Sequence, residues 1–256
     1  MTPALIDSHC HLDFPEFDPD RDQVLARARA AGVDAFVIPG VTRAAFDRLL
    51  RLTQAEGDCH PALGLHPWFM EEHRPEDLET LAALALENRP VAIGEIGLDF
   101  QLPRYDAAAQ LELFEAQLRL ARDLALPVLL HIRKAHDPVL NALRRWGVRG
   151  GICHAYNGSL QQAEAFMKLD FYFGFGGMLT YPNARRLHRL AQALPLERIV
   201  LETDAPSMSG AAHRGQRNSP EYLPEVLNAL ADLRPELPEE IAEVTTANVR
   251  RLLQLP

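Results

Sequence analysis

Ala4-Leu5-Ile6-Asp7-Ser8-His9-Cys10-His11 is a short apolar run that ends in an acid and a His-x-His pair. Read as a strand, its side chains alternate faces, so His9 and His11 point one way and Cys10 the other. An open, doubly wound sheet would usually carry a glycine-rich phosphate loop after its first strand. Here two imidazoles take that place, and side by side at a strand end they can hold one divalent cation. A lone His-x-His pair is more simply two surface histidines near a terminus. What it means therefore depends on what the other strands bring to the same end.

Working outward, apolar runs alternate with helical patterns along the chain. The runs predict strands over 4–7, 35–39, 61–65, 91–96, 128–132, 151–154, 171–175 and 199–203. Helices are expected over 20–31, 44–55, 75–87, 106–124, 137–146, 220–233 and 238–253, with others between the late strands. Strand–helix alternation implies a parallel sheet. Eight strands spaced by about 20–35 residues fit an α/β fold of the (β/α)₈ TIM type, regular or distorted, as a single domain over 1–256. Residues 4–7 and 199–203 should then be neighbours in the barrel wall.

The 256 residues are 47% hydrophobic, enough for a large core. No apolar run approaches the roughly 20 residues of a membrane helix, and no charged leader with a long apolar stretch opens the chain. A cytoplasmic location without membrane contact is the expectation. Cys10, Cys59 and Cys153 are too few and too scattered for a disulfide framework or a CxxC metal site. Cys10 and Cys153 read as small buried hydrophobes. A net charge of −9 argues against a broad basic surface that coats nucleic acid, though a local phosphate site is compatible with it. No obligate protein partner is evident.

The strand ends carry the chemistry. Strand one supplies His9 and His11, strand three His66, strand four Glu95, strand five His131 with Arg133, strand six His154, and strand eight Glu202 and Asp204. In a barrel these ends converge on the face where active sites lie. Any one of them alone would be a solvated loop residue or a satisfied core histidine. As a set, His9, His11, Glu95, His131, His154 and Asp204 are imidazole and carboxylate ligands suited to zinc, manganese or magnesium. Six ligands exceed one catalytic ion and suit two divalent ions roughly 3.5–4 Å apart sharing a carboxylate. Such a pair serves hydrolysis, above all of phosphoesters.

These segments resemble the TatD-type metal-dependent hydrolases and deoxyribonucleases of the amidohydrolase superfamily. The likeness runs through Ile6–Asp13, Gly94–Asp99, His131–Arg133, His154–Gly158 and Leu201–Pro206 into His213-Arg214-Gly215-x-Arg217-Asn218-x-Pro220, and so covers essentially the whole chain. Where many amidohydrolases place a carboxylated lysine after strand four, this chain has Glu95, as TatD-like proteins do. The resemblance implies one ion on His9, His11 and Asp204, a second on His131 and His154, and Glu95 between them, with Asp204 also able to take a proton from the attacking water. It implies substrate-side or supporting roles for His66, Arg133 and Glu202. Arg133 can pair with a phosphate oxygen. Arg214, Arg217 and Asn218 either shape the site or tether their loop. Two loops depart from the family pattern: Ala155-Tyr156-Asn157-Gly158, and Phe100-Gln101-Leu102-Pro103-Arg104 after Asp99. Both face the substrate.

The leading expectation is therefore a two-metal phosphodiesterase acting on DNA, trimming single strands or ends. The alternatives are a hydrolase of the same fold that cuts a carboxylic ester or amide, and a non-catalytic metal or nucleic-acid binding protein.

Overall fold

The computed structural model describes residues 4–256. Its strands are β1 (Leu5–Asp7), β2 (Val33–Pro39), β3 (Cys59–Leu63), β4 (Ala92–Asp99), β5 (Val128–Arg133), β6 (Gly151–Cys153), β7 (Phe171–Phe175) and β8 (Ile199–Leu201). They form one sheet in chain order, with parallel pairing. The ends of the order meet: Ser8 N–H donates to the Leu201 carbonyl at 3.0 Å. This is the (β/α)₈ TIM-type fold expected from the alternation of strands and helices. The helices are α1 (Arg21–Ala30), α2 (Arg43–Ala55), α3 (Pro75–Asn88), α4 (Ala107–Asp123), α5 (His136–Trp146), α6 (Leu160–Met167), α7 (Arg185–Ala193), α8 (Leu223–Ala231) and α9 (Pro238–Leu253). No helix among the described residues is long and apolar enough to cross a membrane.

The residues group into two compact units. The first holds the segment up to Ile38, Ala155–Leu160 and Tyr172–Pro256. Its core packs Leu5, Ile6, Phe36, Val37, Phe173, Phe175 and Val200, all buried. Helix α9 is latched to this sheet by Asn248, whose side-chain amide donates to the Leu196 and Ile199 carbonyls at 2.9 and 2.8 Å. The second unit holds Pro39–His154 and Gln161–Phe171. There β4 is buried along its whole length, as a strand covered on both faces should be. Each Leu, Ile or Phe removed from water contributes about 1.5–3 kcal/mol.

The strand limits depart from the sequence reading where side chains take over the backbone ladder. β3 stops at Leu63, short of the expected residue 65. The Gln117 side chain brackets Leu65 instead, accepting from its N–H at 2.7 Å and donating to its carbonyl at 3.0 Å. β4 runs three residues further than expected, in register with β5 through Gly97↔His131 and Asp99↔Arg133. Gly97 permits this: its φ is +148°, and a Cβ there would collide with the His131 carbonyl oxygen. β8 stops at Leu201 rather than at residue 203. The helix expected over 220–233 starts as a 3₁₀ turn at Pro220–Tyr222 and becomes α-helical at Leu223, with Pro224 in its first turn, where no N–H is needed.

Candidate metal centre

In the first unit the ladder between the chain ends of β1 and β8 continues past both strands. Asp204 N–H donates to the His9 carbonyl at 2.8 Å, and His11 N–H donates to the Ala205 carbonyl at 2.7 Å. Asp204 itself adopts a left-handed backbone with φ +59°. Its carboxylate is thus delivered by a turn rather than by strand alternation. Three donor atoms converge as a result. His9 Nε2 lies 3.3 Å from His11 Nε2, and Asp204 Oδ1 lies 3.8 and 3.5 Å from those two atoms. Ligands bound to one ion at about 2.1 Å sit roughly 3–4 Å from one another, depending on the angle between them, so this set fits a divalent cation. Both imidazoles are buried. Cys10 points away, as alternation predicts, with its thiol against the Val37 carbonyl.

Of the support beneath this set, the sequence points to Glu202, Arg217 and Asn218 but not to Asp7. Asp7 is fully buried and accepts from the Thr203 N–H and hydroxyl and from the His9 N–H. Burial pushes its carboxyl up to about 7 against the pull of those hydrogen bonds. It joins the His9 loop to the Asp204 loop. Asn218 donates to the Thr203 and Ser207 carbonyls at 2.8 and 2.7 Å. Arg217 makes a two-pronged pair with Asp20, at 2.8 and 2.7 Å, and lies over the Phe17 ring. Arg217 and Asn218 therefore tether their loop. Glu202 is buried, and its Oε1 accepts from Ala155 N–H at 2.7 Å. Gly174 leaves the room it needs, since a Cβ there would collide with the Glu202 carboxylate.

In the second unit Glu95 Oε1 lies 3.2 Å from His66 Nε2 and 3.1 Å from His131 Nδ1. These atoms have the same spacing as the donors of a bound ion. His66, read from sequence as a substrate-side group, is thereby brought into the ligand cluster, with its ring 4.3 Å from that of His131. Its Nδ1 accepts from Trp68 N–H at 2.9 Å, which fixes the ring and leaves Nε2 facing Glu95. His131 Nε2 lies 2.9 Å from Asp99 Oδ2. A ligand histidine commonly gives its second N–H to a carboxylate in this way. Burial alone would lower the His131 pKa, but Asp99 and Glu95 outweigh it and hold the imidazole above its ordinary range. Burial likewise opposes ionisation of Asp99, and His131, the Gln101 N–H and Arg133 together hold it below the usual carboxylate range. Arg133 is half-buried at the end of β5. His154 follows β6, is buried, and bonds through its N–H to the Leu130 carbonyl.

Asp99, like Asp7, is a site residue that the sequence reading missed. Its signal was its place four residues after Glu95 on one strand, but only the β4–β5 register turns that into a partner for His131. Asp99→Asn should weaken metal retention by about 10–100-fold, the usual cost of losing such a partner. Competition with a chelator of known affinity would measure it, and an unchanged retention would remove Asp99 from the centre.

Comparison with known proteins agrees with this chemistry. The family model described as TatD related DNase matches residues 6–254. An uncharacterised metal-dependent hydrolase of Escherichia coli, YjjV, is 42% identical over the full length of both chains. A protein of Erwinia billingiae named 3′-5′ ssDNA/RNA exonuclease TatD is 36% identical, covering 98% of this chain and all of its own. The crystal structure of the E. coli YjjV protein superposes with a TM-score of 0.95 at 41% identity, covering both chains completely. With ligand clusters in the described fold and these relatives along its whole length, the chain belongs to the TatD family of metal-dependent hydrolases.

Proposed function

We propose that this chain is a single-domain, two-metal phosphodiesterase that trims single-stranded DNA. The observation that carries the reading is the convergence of His9 Nε2, His11 Nε2 and Asp204 Oδ1 within 3.3–3.8 Å. His9, His11 and Asp204 would hold one divalent ion, His131 and His154 the other, and Glu95 both. Bound there, zinc, manganese or magnesium would acidify a water and offset charge on the phosphoryl oxygens. The protein's own part is orientation and proton transfer. Asp204 accepts the proton of the attacking water. Asp99 and Asp7 fix the His131 ring and the His9 loop. Arg133 pairs with a non-bridging phosphate oxygen, and Glu202 holds the Ala155 loop at the substrate side.

The relative named as an exonuclease on single-stranded DNA and RNA supports the choice of substrate. The test is hydrolysis of a single-stranded DNA oligonucleotide, a carboxylic ester and an amide by protein loaded with each metal in turn. Cleavage of the oligonucleotide that a chelator abolishes is the expected result. Turnover of only the ester or amide would replace this reading with that of a same-fold ester or amide hydrolase.

A further inference from the structure

We propose that a cleft lined by Trp68 and Tyr105, on the loops that follow His66 and Asp99, stacks a nucleobase of the substrate strand; this rests on the nucleic-acid reading above. The cleft has a volume of about 680 Å³, within the range typical of small-molecule sites. Its aromatic side chains face solvent: Trp68 is 62% and Tyr105 47% exposed. Large exposed rings clustered in one cleft mark a binding surface. Phe100 backs Tyr105 in a parallel stack, with centroids 5.1 Å apart and planes 10° apart, so the ring is presented as a supported platform.

Both rings are tied to the ligand cluster by short covalent and hydrogen-bonded paths. Trp68 lies two residues after His66, and its backbone N–H donates to His66 Nδ1. The loop that carries Tyr105 follows Asp99, the partner of His131. The Gln110 side chain accepts from Asp99 N–H at 2.8 Å and donates to its carbonyl, while Asp99 accepts from Gln101 N–H. The loops that carry both rings are therefore held to His66 and Asp99.

The charges of the cleft favour a base over a phosphate. The charged residues that line it are Arg104, Glu71 and Asp106. Asp106 is already used as the N-cap of α4, accepting from the Ala108 and Ala109 N–H groups. There is no excess positive charge to hold a backbone, and there are two π-faces, which every base can use. Stacking of this kind tolerates any sequence and needs an unpaired base, which matches a single strand.

The experiment uses a Trp146→Phe protein, loaded with metal, in which Trp68 is the one remaining tryptophan. Oligothymidylate should quench its fluorescence, and an abasic oligonucleotide of equal length should not. Trp68→Ala and Tyr105→Ala should each raise KM for oligothymidylate by about 5–100-fold, the scale of one lost base stack. KM for the abasic strand should stay unchanged, and Trp68→Phe should recover most of the loss. Equal quenching by both strands, or a fall in kcat on both with KM unchanged, would overturn the proposal. If the protein cleaves esters or amides and not DNA, the nuclease reading falls on its own. Quenching by the base-bearing strand would then still support the stacking cleft, and its absence would overturn it.

Discussion

Asp204→Asn protein should hydrolyse a single-stranded DNA oligonucleotide about 10²–10⁴-fold more slowly than the unaltered chain, the usual scale for losing a general base. Asparagine keeps the size of the side chain and one oxygen that can face an ion, but it cannot take a proton at neutral pH. The backbone that delivers residue 204 should survive the change. Its left-handed φ is one that asparagine adopts more readily than most residues. Its N–H bond to the His9 carbonyl does not involve the side chain. Metal content should therefore fall far less than the rate, because His9 and His11 remain 3.3 Å apart. Steady-state hydrolysis with elemental analysis in parallel separates the two effects. A fully active, metal-replete Asp204→Asn protein would exclude Asp204 as the base.

What could be read from the sequence follows from the physics of strands. The apolar runs around Phe36, Ile93, Leu130 and Phe173 must be buried on both faces, so they stand out without a partner in view. The residues that end those runs are then placed at one end of the sheet by topology alone. His9, His11, His66, Glu95, His131, His154, Glu202 and Asp204 were legible for that reason. What was hidden depends on register and on side chains that replace backbone. Asp99 becomes the partner of His131 because β4 and β5 pair Gly97 with His131. That pairing needs a glycine at φ +148°, which no hydrophobic pattern reveals. Gln110 and Gln117 read as polar positions on an amphipathic helix. Both are buried and stand in for ladder partners at Asp99 and Leu65. Asp204 reaches the site by a turn beyond the end of β8, with a left-handed backbone that a strand pattern does not reveal. The exposure of Trp68 and Tyr105 is a property of the loops around them, and composition does not encode it.

His9→Ala and His131→Ala should each deplete metal, and from different places. His9 Nε2 is one of the three donors that converge there, with His11 Nε2 and Asp204 Oδ1, so its loss takes a buried imidazole from that ion. His131 stands between Glu95 and Asp99, and its loss leaves two carboxylates facing each other across an empty ring position. Each deletion should cost more than the 10–100-fold that follows loss of an outer partner, and each should remove nearly all hydrolysis. Combining the two should remove more metal than either alone, because each ion then loses a histidine of its own. Stability gives a readout independent of activity. An ion present at a hundred times its Kd adds about 2.7 kcal/mol to the folded state. In a domain of this size that is worth roughly 5–10 °C in Tm. The unaltered protein should therefore melt lower after chelation and recover when metal is restored. Each single variant should show part of that shift, and the double variant close to none. Metal content at the unaltered level in both single variants would refute the ligand assignment. A full chelation shift in the double variant would place the bound ions on other residues.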